Sequence, residues 1–256
     1  MIRVCLAGAR GRMGRMLTEL LCGAEDLTLA SALERMGHPE LGALLGAGVA
    51  LGFDAREAIA RADVLLDFSA PASALAHLAL AAEAGKPAVC GVTGFTAEQL
   101  QAVQREARRI ALLVSSNMSR GVYQLGRLVE QAARALPGFD AEILDIHHRN
   151  KADSPSGTAL LLAAALQAVR AAESRPIYGR KAQREGGEVG IAALRGGDVV
   201  GEHQVFFLGP GEEIILTHRA TSREHFCRGA LDAVRFVAGK APGLYGMHHV
   251  FEGTQP

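Results

Sequence analysis

The segment DIHHRNKADSPSGTA, from Asp145 to Ala159, sets His147, His148, Arg149 and Lys151 within five positions. An imidazole titrates near neutrality, so two of them beside an ammonium suit proton donation to a small dianionic substrate. If the preceding FDAEILDI is a strand, His147 and His148 leave its end on opposite faces and cannot share one role. Pro155, Ser156, Gly157 and Thr158 then stand directly before an apolar helical run. A helix start leaves backbone N–H groups unpaired, so these donors, with the Ser156 and Thr158 hydroxyls, read as a cradle for a carboxylate.

A second constellation lies at the N-terminus. GARGRMG places glycines at 8, 11 and 14, after the strand-like IRVCLA and before the helical RMLTELL. In that context the backbone N–H groups and the positive helix end can take a pyrophosphate, with Arg10, Arg12 and Arg15 adding local positive charge. Twenty positions beyond Gly14, at the end of the next strand-like run, stands Glu34, followed by Arg35. A carboxylate there accepts from an adenosine ribose and favours NAD, whereas a neighbouring arginine can neutralise the extra phosphate of NADP, so the pair predicts use of NADH or NADPH. CGVTG (Cys90–Gly94) and SSNMS (Ser115–Ser119) each follow an apolar run. The carboxyl ends of parallel strands form a ligand crevice, and small residues let a flat ring approach the backbone.

The elements that must position these groups alternate through the first half of the chain: LTLASAL, DVLLDFS, KPAVCGV and RIALLVSS read as strands, DAREAIARA, PASALAHLALAAEAG and TAEQLQAVQREARR as helices. This rhythm predicts an α/β fold with a Rossmann-type, doubly wound parallel sheet. Near Asn117 it changes. A helix over 121–136, the strand FDAEILDIHH and a helix from about Ser156 precede EVGIAALR, DVVGEHQVFFL and EEIILTHRAT, which run on as strands with a hairpin at Gly209–Gly211. The second region is therefore expected to be an α+β domain with an open mixed or antiparallel sheet. The final helical run, HFCRGALDAVRFVAG, has no evident sheet partner and is expected to return to the first domain. That gives a discontinuous nucleotide domain, 1–118 and 224–256, around a substrate domain, 119–223.

Composition narrows the rest. With 256 residues, 49% of them hydrophobic, the chain can build real cores. Its 27 basic and 27 acidic residues give no overall field for nucleic acid or an anionic membrane. Cys5, Cys22, Cys90 and Cys227 lack the paired spacing of a zinc site and read as buried thiols, which suits a reducing cytoplasm, and no metal is expected. Met1 runs directly into a strand-like segment, with neither a basic leader nor a long apolar stretch, so export and membrane spanning are not expected. Two rival readings remain: another two-domain NAD(P)-dependent dehydrogenase, for which Cys90 is the one cysteine placed to be a nucleophile, and a non-catalytic NAD(P)-sensing regulator.

HHRNKADSPSGTA resembles the signature of the 4-hydroxy-tetrahydrodipicolinate (dihydrodipicolinate) reductase family of lysine and diaminopimelate biosynthesis. GARGRMGR, SALER, CGVTGF, SSNMSRGV, GDVVGEHQVFF and LTHRATSR resemble other family segments in the right order over nearly the whole chain. The resemblance implies that His147 protonates the substrate with Lys151 assisting, that His148 touches substrate, and that Gly157 and Thr158 bind a carboxylate. It implies cofactor contacts from Gly8, Ala9, Arg10, Gly11, Arg12 and Met13, from Glu34 and Arg35, from Gly91, Val92 and Thr93, and from Ser115, Ser116, Asn117 and Met118. A homotetramer joined through the substrate-domain sheet is implied as well. Val92 stands where the family commonly has a second threonine, and Arg120 and Tyr123 also depart from its usual pattern.

Overall fold

The computed structural model describes residues 1–170 and 175–253. The chain divides into two compact units, one of Met1–Met118 with the stretch from Glu224 onward, the other of Ser119–Arg223. Its first stretch runs β1 (Ile2–Ala7), α1 (Arg12–Cys22), β2 (Leu27–Leu33), β3 (Leu51–Gly52), α2 (Ala55–Ala60), β4 (Val64–Asp67), α3 (Pro71–Glu83), β5 (Ala88–Cys90), α4 (Ala97–Ala107) and β6 (Ala111–Val114). The middle stretch holds α5 (Arg120–Ala135), β7 (Asp140–His147), α6 (Gly157–Arg170), β8 (Arg175–Tyr178), β9 (Glu188–Arg195), β10 (Gly201–Gly209) and β11 (Glu212–Ala220). The last adds α7 (Glu224–Val237), β12 (Gly243–Tyr245) and α8 (Met247–Glu252). No helix among the described residues is long and apolar enough to cross a membrane.

The first unit is a seven-stranded sheet in the order β12-β6-β5-β4-β1-β2-β3, parallel throughout. Successive strand side chains point to opposite faces, so a strand covered on both sides must be apolar at every position. β1 meets that demand from Val4 to Ala7: Val4 and Leu6 enter a core with Leu17 and Leu21 of α1 and Val234 and Val237 of α7, while Cys5 and Ala7 enter another with Ile59, Leu78 and Val103 of α2, α3 and α4. Side chains set the starts of α2 and α4. Asp54 accepts from Glu57 N–H ahead of α2, and Thr96 and Gln99 form a reciprocal box ahead of α4. The strand order reverses beside β1, between β2 and β4.

Three short strands escape the sequence reading. β3 and β8 are new, as is β12, which follows the final helical run and pairs with β6. Cys5, Cys90 and Cys227 are buried, but Cys22, at the end of α1, is exposed, against the expectation for it.

The second unit is a five-stranded mixed sheet in the order β11-β10-β7-β9-β8. β7 runs antiparallel to β10 and parallel to β9. α5 and α6 cover one face, where Val129, Ala133, Leu162 and Leu166 pack on Ala141, Ile143, Val205 and Phe207. Alternation along β7 is strict, buried at every second position through His147. The opposite face carries Leu144, Ile146, Leu194, Phe206 and Ile215, half-buried or exposed.

Candidate active site

In the first unit the glycine loop follows β1 and opens α1. Gly8 has φ +77°, and a Cβ there would lie 2.7 Å from the Phe68 carbonyl oxygen. A Cβ on Gly14 would stand 2.1 Å from the Gly8 carbonyl oxygen, so the turn and the helix can approach only as glycines. No side chain caps the start of α1, and its first turn holds no acid. That uncapped helix end fits the pyrophosphate of a dinucleotide.

Just beyond β2, the Glu34 carboxylate accepts from the Arg10 N–H at 3.0 Å and faces the Arg35 N–H at 3.3 Å, which ties it to the glycine loop. The Arg10 guanidinium is itself paired with Glu40 at 2.6 Å, and Arg15 approaches the same carboxylate at 3.7 Å, whereas Gly11, Arg12 and Arg35 are exposed. Sequence reasoning missed Asp67. Its carboxylate is fully buried at the end of β4 and accepts from the Ser69 N–H (2.8 Å) and hydroxyl (2.6 Å), with His77 Nδ1 at 2.7 Å. This fixes the turn that carries Phe68, against whose ring a Cβ on Gly91 would press at 2.2 Å. Thr93 and Ser116 are exposed, Met13 and Asn117 half-buried, and the Ser115 hydroxyl donates to the Asn117 carbonyl at 2.7 Å. Ala9, Val92 and Met118 put their side chains into apolar cores.

In the second unit, register builds the other constellation. The core face of β7 runs Ala141, Ile143, Asp145, His147, and β10 sets Phe207, Val205 and His203 opposite the first three. The apolar rows thus give way to a polar row at one end, beside the start of α6. The Asp145 carboxylate is fully buried and collects the Ser156 N–H (2.8 Å), the Ser156 hydroxyl (2.7 Å) and an Arg195 guanidinium N–H (3.0 Å). His147 Nδ1 stands 3.0 Å from its Oδ1, out of line for a straight hydrogen bond and with no other partner among the described residues, and His203 Nε2 stands 3.3 Å away. Burial by itself would raise this carboxyl, but the close imidazoles of His147 and His203 and the hydrogen bonds from Ser156 outweigh it and hold the group well below the usual carboxylate range.

Of the residues named from sequence, the second unit brings His147, Ser156 and the start of α6 together around Asp145. Ser156 is engaged from within the protein. It is 2% exposed, with N–H and hydroxyl both taken by Asp145, so it anchors the cradle from within. Gly157 is exposed, and Thr158 is 9% exposed. Lys151 pairs with Asp153 at 2.8 Å, and Arg195 binds the Asp153 carbonyl at 2.8 Å, which joins the lysine to the Asp145 cluster. His148 Nε2 lies 3.3 Å from an Arg223 guanidinium nitrogen, a cation that sequence reasoning did not assign.

A doubly wound parallel unit with a bare glycine-loop helix end, together with a unit that pairs an imidazole with a helix-start cradle, defines an oxidoreductase of the dinucleotide-dependent kind. Comparison with known proteins makes this particular. The family described as dihydrodipicolinate reductase matches through its N-terminus at residues 2–118 and its C-terminus at residues 121–251. The chain is 42% identical to a 4-hydroxy-tetrahydrodipicolinate reductase of Nitrosomonas europaea, covering 97% of each chain. It is 43% identical to that of Burkholderia pseudomallei, covering 97% of this chain and 98% of the relative. Among solved structures it resembles a dipicolinate-bound dihydrodipicolinate reductase from Paenisporosarcina sp. TG-14, with TM-score 0.80 and 27% identity, over 96% of this chain and 97% of that one. The chain belongs to the dihydrodipicolinate reductase family.

Proposed function

We propose that this chain catalyses the NAD(P)H-dependent reduction of 4-hydroxy-tetrahydrodipicolinate to tetrahydrodipicolinate, in the route to diaminopimelate and lysine. The observation that carries this reading is that one buried carboxylate, Asp145, faces His147 and holds the entry to α6. A proton donor and a carboxylate cradle fixed by one group suit a small ring bearing carboxylates. The net change is loss of water and gain of a hydride at ring C4 and a proton.

NADH or NADPH supplies the hydride when bound. The chain's own residues do the rest. The α1 start and the Gly8–Met13 loop hold the pyrophosphate, and Glu34 and Arg35 face the adenosine ribose, where the carboxylate suits a free hydroxyl and the guanidinium a phosphate. The ends of β5 and β6, at Gly91–Thr93 and Ser115–Met118, offer chiefly backbone to the nicotinamide, because Val92 and Met118 turn inward. Gly157 and Thr158 take one substrate carboxylate through backbone N–H and hydroxyl. Lys151 exchanges its exposed partner Asp153 for a substrate carboxylate, and His148 contacts the ring. His147 Nε2 delivers the proton. The face of the second sheet that carries half-buried Leu144 and Ile146 and exposed Ile215 is the surface we assign to tetramer assembly in the cytoplasm.

The test is consumption of NADH and of NADPH by purified protein with freshly generated substrate, followed by absorbance. His147→Gln should lower kcat about 10²- to 10⁴-fold with cofactor affinity kept, and removing Lys151 should harm both kcat and KM. A protein that binds nucleotide but never consumes it with this substrate is the sensing regulator instead.

A further inference from the structure

We propose that Asp145 is a positioning residue for the proton donor: it holds His147 with the proton on Nδ1 facing the carboxylate, so that Nε2 is the nitrogen presented to substrate, and it locks the cradle to the same point. This rests on the function proposed above and deepens it. His147 Nδ1 is buried, and among the described residues Asp145 is the acceptor within reach, at 3.0 Å. An ionised carboxylate can only accept, so the ring nitrogen beside it keeps its hydrogen. When Nε2–H passes to substrate, the proton that remains is the one on Nδ1, and the imidazole ends neutral in one defined tautomer.

Asp145, His147 and His203 have ligand atoms within 4.8 Å of one another, a spacing that would also suit a metal ion. The charges and hydrogen bonds speak for positioning. Asp145 Oδ1 already faces the Ser156 hydroxyl and both imidazoles, and Oδ2 accepts from the Ser156 N–H and from Arg195 at 3.0 Å. A divalent cation there would have to displace a guanidinium and unpick the start of α6. His203 braces the carboxylate from the far side, its Nε2 3.2 Å from the Ser156 hydroxyl and its ring edge-on to His147 at 5.1 Å.

The decisive measurement is ¹⁵N NMR of histidine-labelled wild-type protein, with the His147 signals assigned by their loss in His147→Gln. At a pH where the ring is neutral, Nδ1 should carry the hydrogen and Nε2 should not; the reverse tautomer overturns the proposal even if no Asp145 variant folds. Asp145→Asn, which keeps the shape and loses the charge, should lower kcat about 10²- to 10³-fold while cofactor affinity holds. A folded variant with wild-type kcat, or one whose whole defect is in KM, also overturns it. Absence of reductase activity in the wild type would sink the function but leave the tautomer result standing, so the two failures are distinguishable.

Discussion

Gly201→Ala is the perturbation for which the structure gives the clearest expectation. Gly201 opens β10, one register step beyond the Glu202–Ile146 pair, which sets it opposite His147. A Cβ built there lies 3.0 Å from His147 Nε2, 3.3 Å from its Cδ2 and 3.7 Å from His203 Cε1. The first distance is shorter than ordinary van der Waals contact, so the ring must shift by a few tenths of an ångström. It has little room, because Asp145 stands 3.0 Å from its other nitrogen. The ring must either turn its donor away from the substrate or loosen its hold on the carboxylate. The backbone raises no objection, since Gly201 is not in the left-handed region. Alanine there also restricts the unfolded chain, worth about 0.4–1 kcal/mol in favour of folding, which offsets part of the contact. Stability measured by urea unfolding should therefore change by no more than about 1 kcal/mol, while steady-state kcat falls roughly 10- to 10²-fold, the scale set by small misplacements of a reacting group. Cofactor KM should hold. Adding Gly201→Ala to His147→Gln should cost little more than His147→Gln alone, because both act through one imidazole. A kcat within about twofold of wild type, or full additivity in the double variant, refutes the reasoning.

Two further outcomes follow from groups away from the proton donor. Hydrogen bonds from the side chain and backbone of Arg3 hold the Asp63 carboxyl down to about 2, below the ordinary value near 3.9 of an unfolded chain. Its contribution is complete above the unfolded value and is lost as pH falls from there towards about 2, so Asp63→Asn should flatten the melting temperature across that window; equal slopes in the two proteins would count against it. Burial pushes the thiols of Cys5, Cys90 and Cys227 up to about 12. Alkylation of the native protein near neutral pH should thus modify Cys22 alone, read by mass spectrometry, and leave reductase activity intact; inactivation through Cys90 would revive the dehydrogenase with a cysteine nucleophile.

What sequence reading reached and what it missed divide along one line. The glycine loop, Glu34, His147 and the helix start at Gly157 are legible because each is defined within a few residues by type and spacing. β12, three residues long, is too short to show a pattern, and pairing with β6 makes it a strand. The partners of Ser156 are hidden for a related cause: local spacing shows its hydroxyl as an open donor, whereas in the fold it meets Asp145 and also His203, 47 positions away. Asp145, His203 and Gly201 meet only through the register of β7 with β10, which no local pattern specifies. Yet a trace of that meeting is written in the chain. Ala141-Ile143-Asp145-His147 and Phe207-Val205-His203-Gly201 are period-two stripes, apolar at one end, the first turning polar at Asp145 and the second at His203. A buried carboxylate and buried imidazoles cost stability unless they satisfy one another. Two stripes that both turn polar must therefore be aligned at those ends, so the site's position and the strand register are one piece of information.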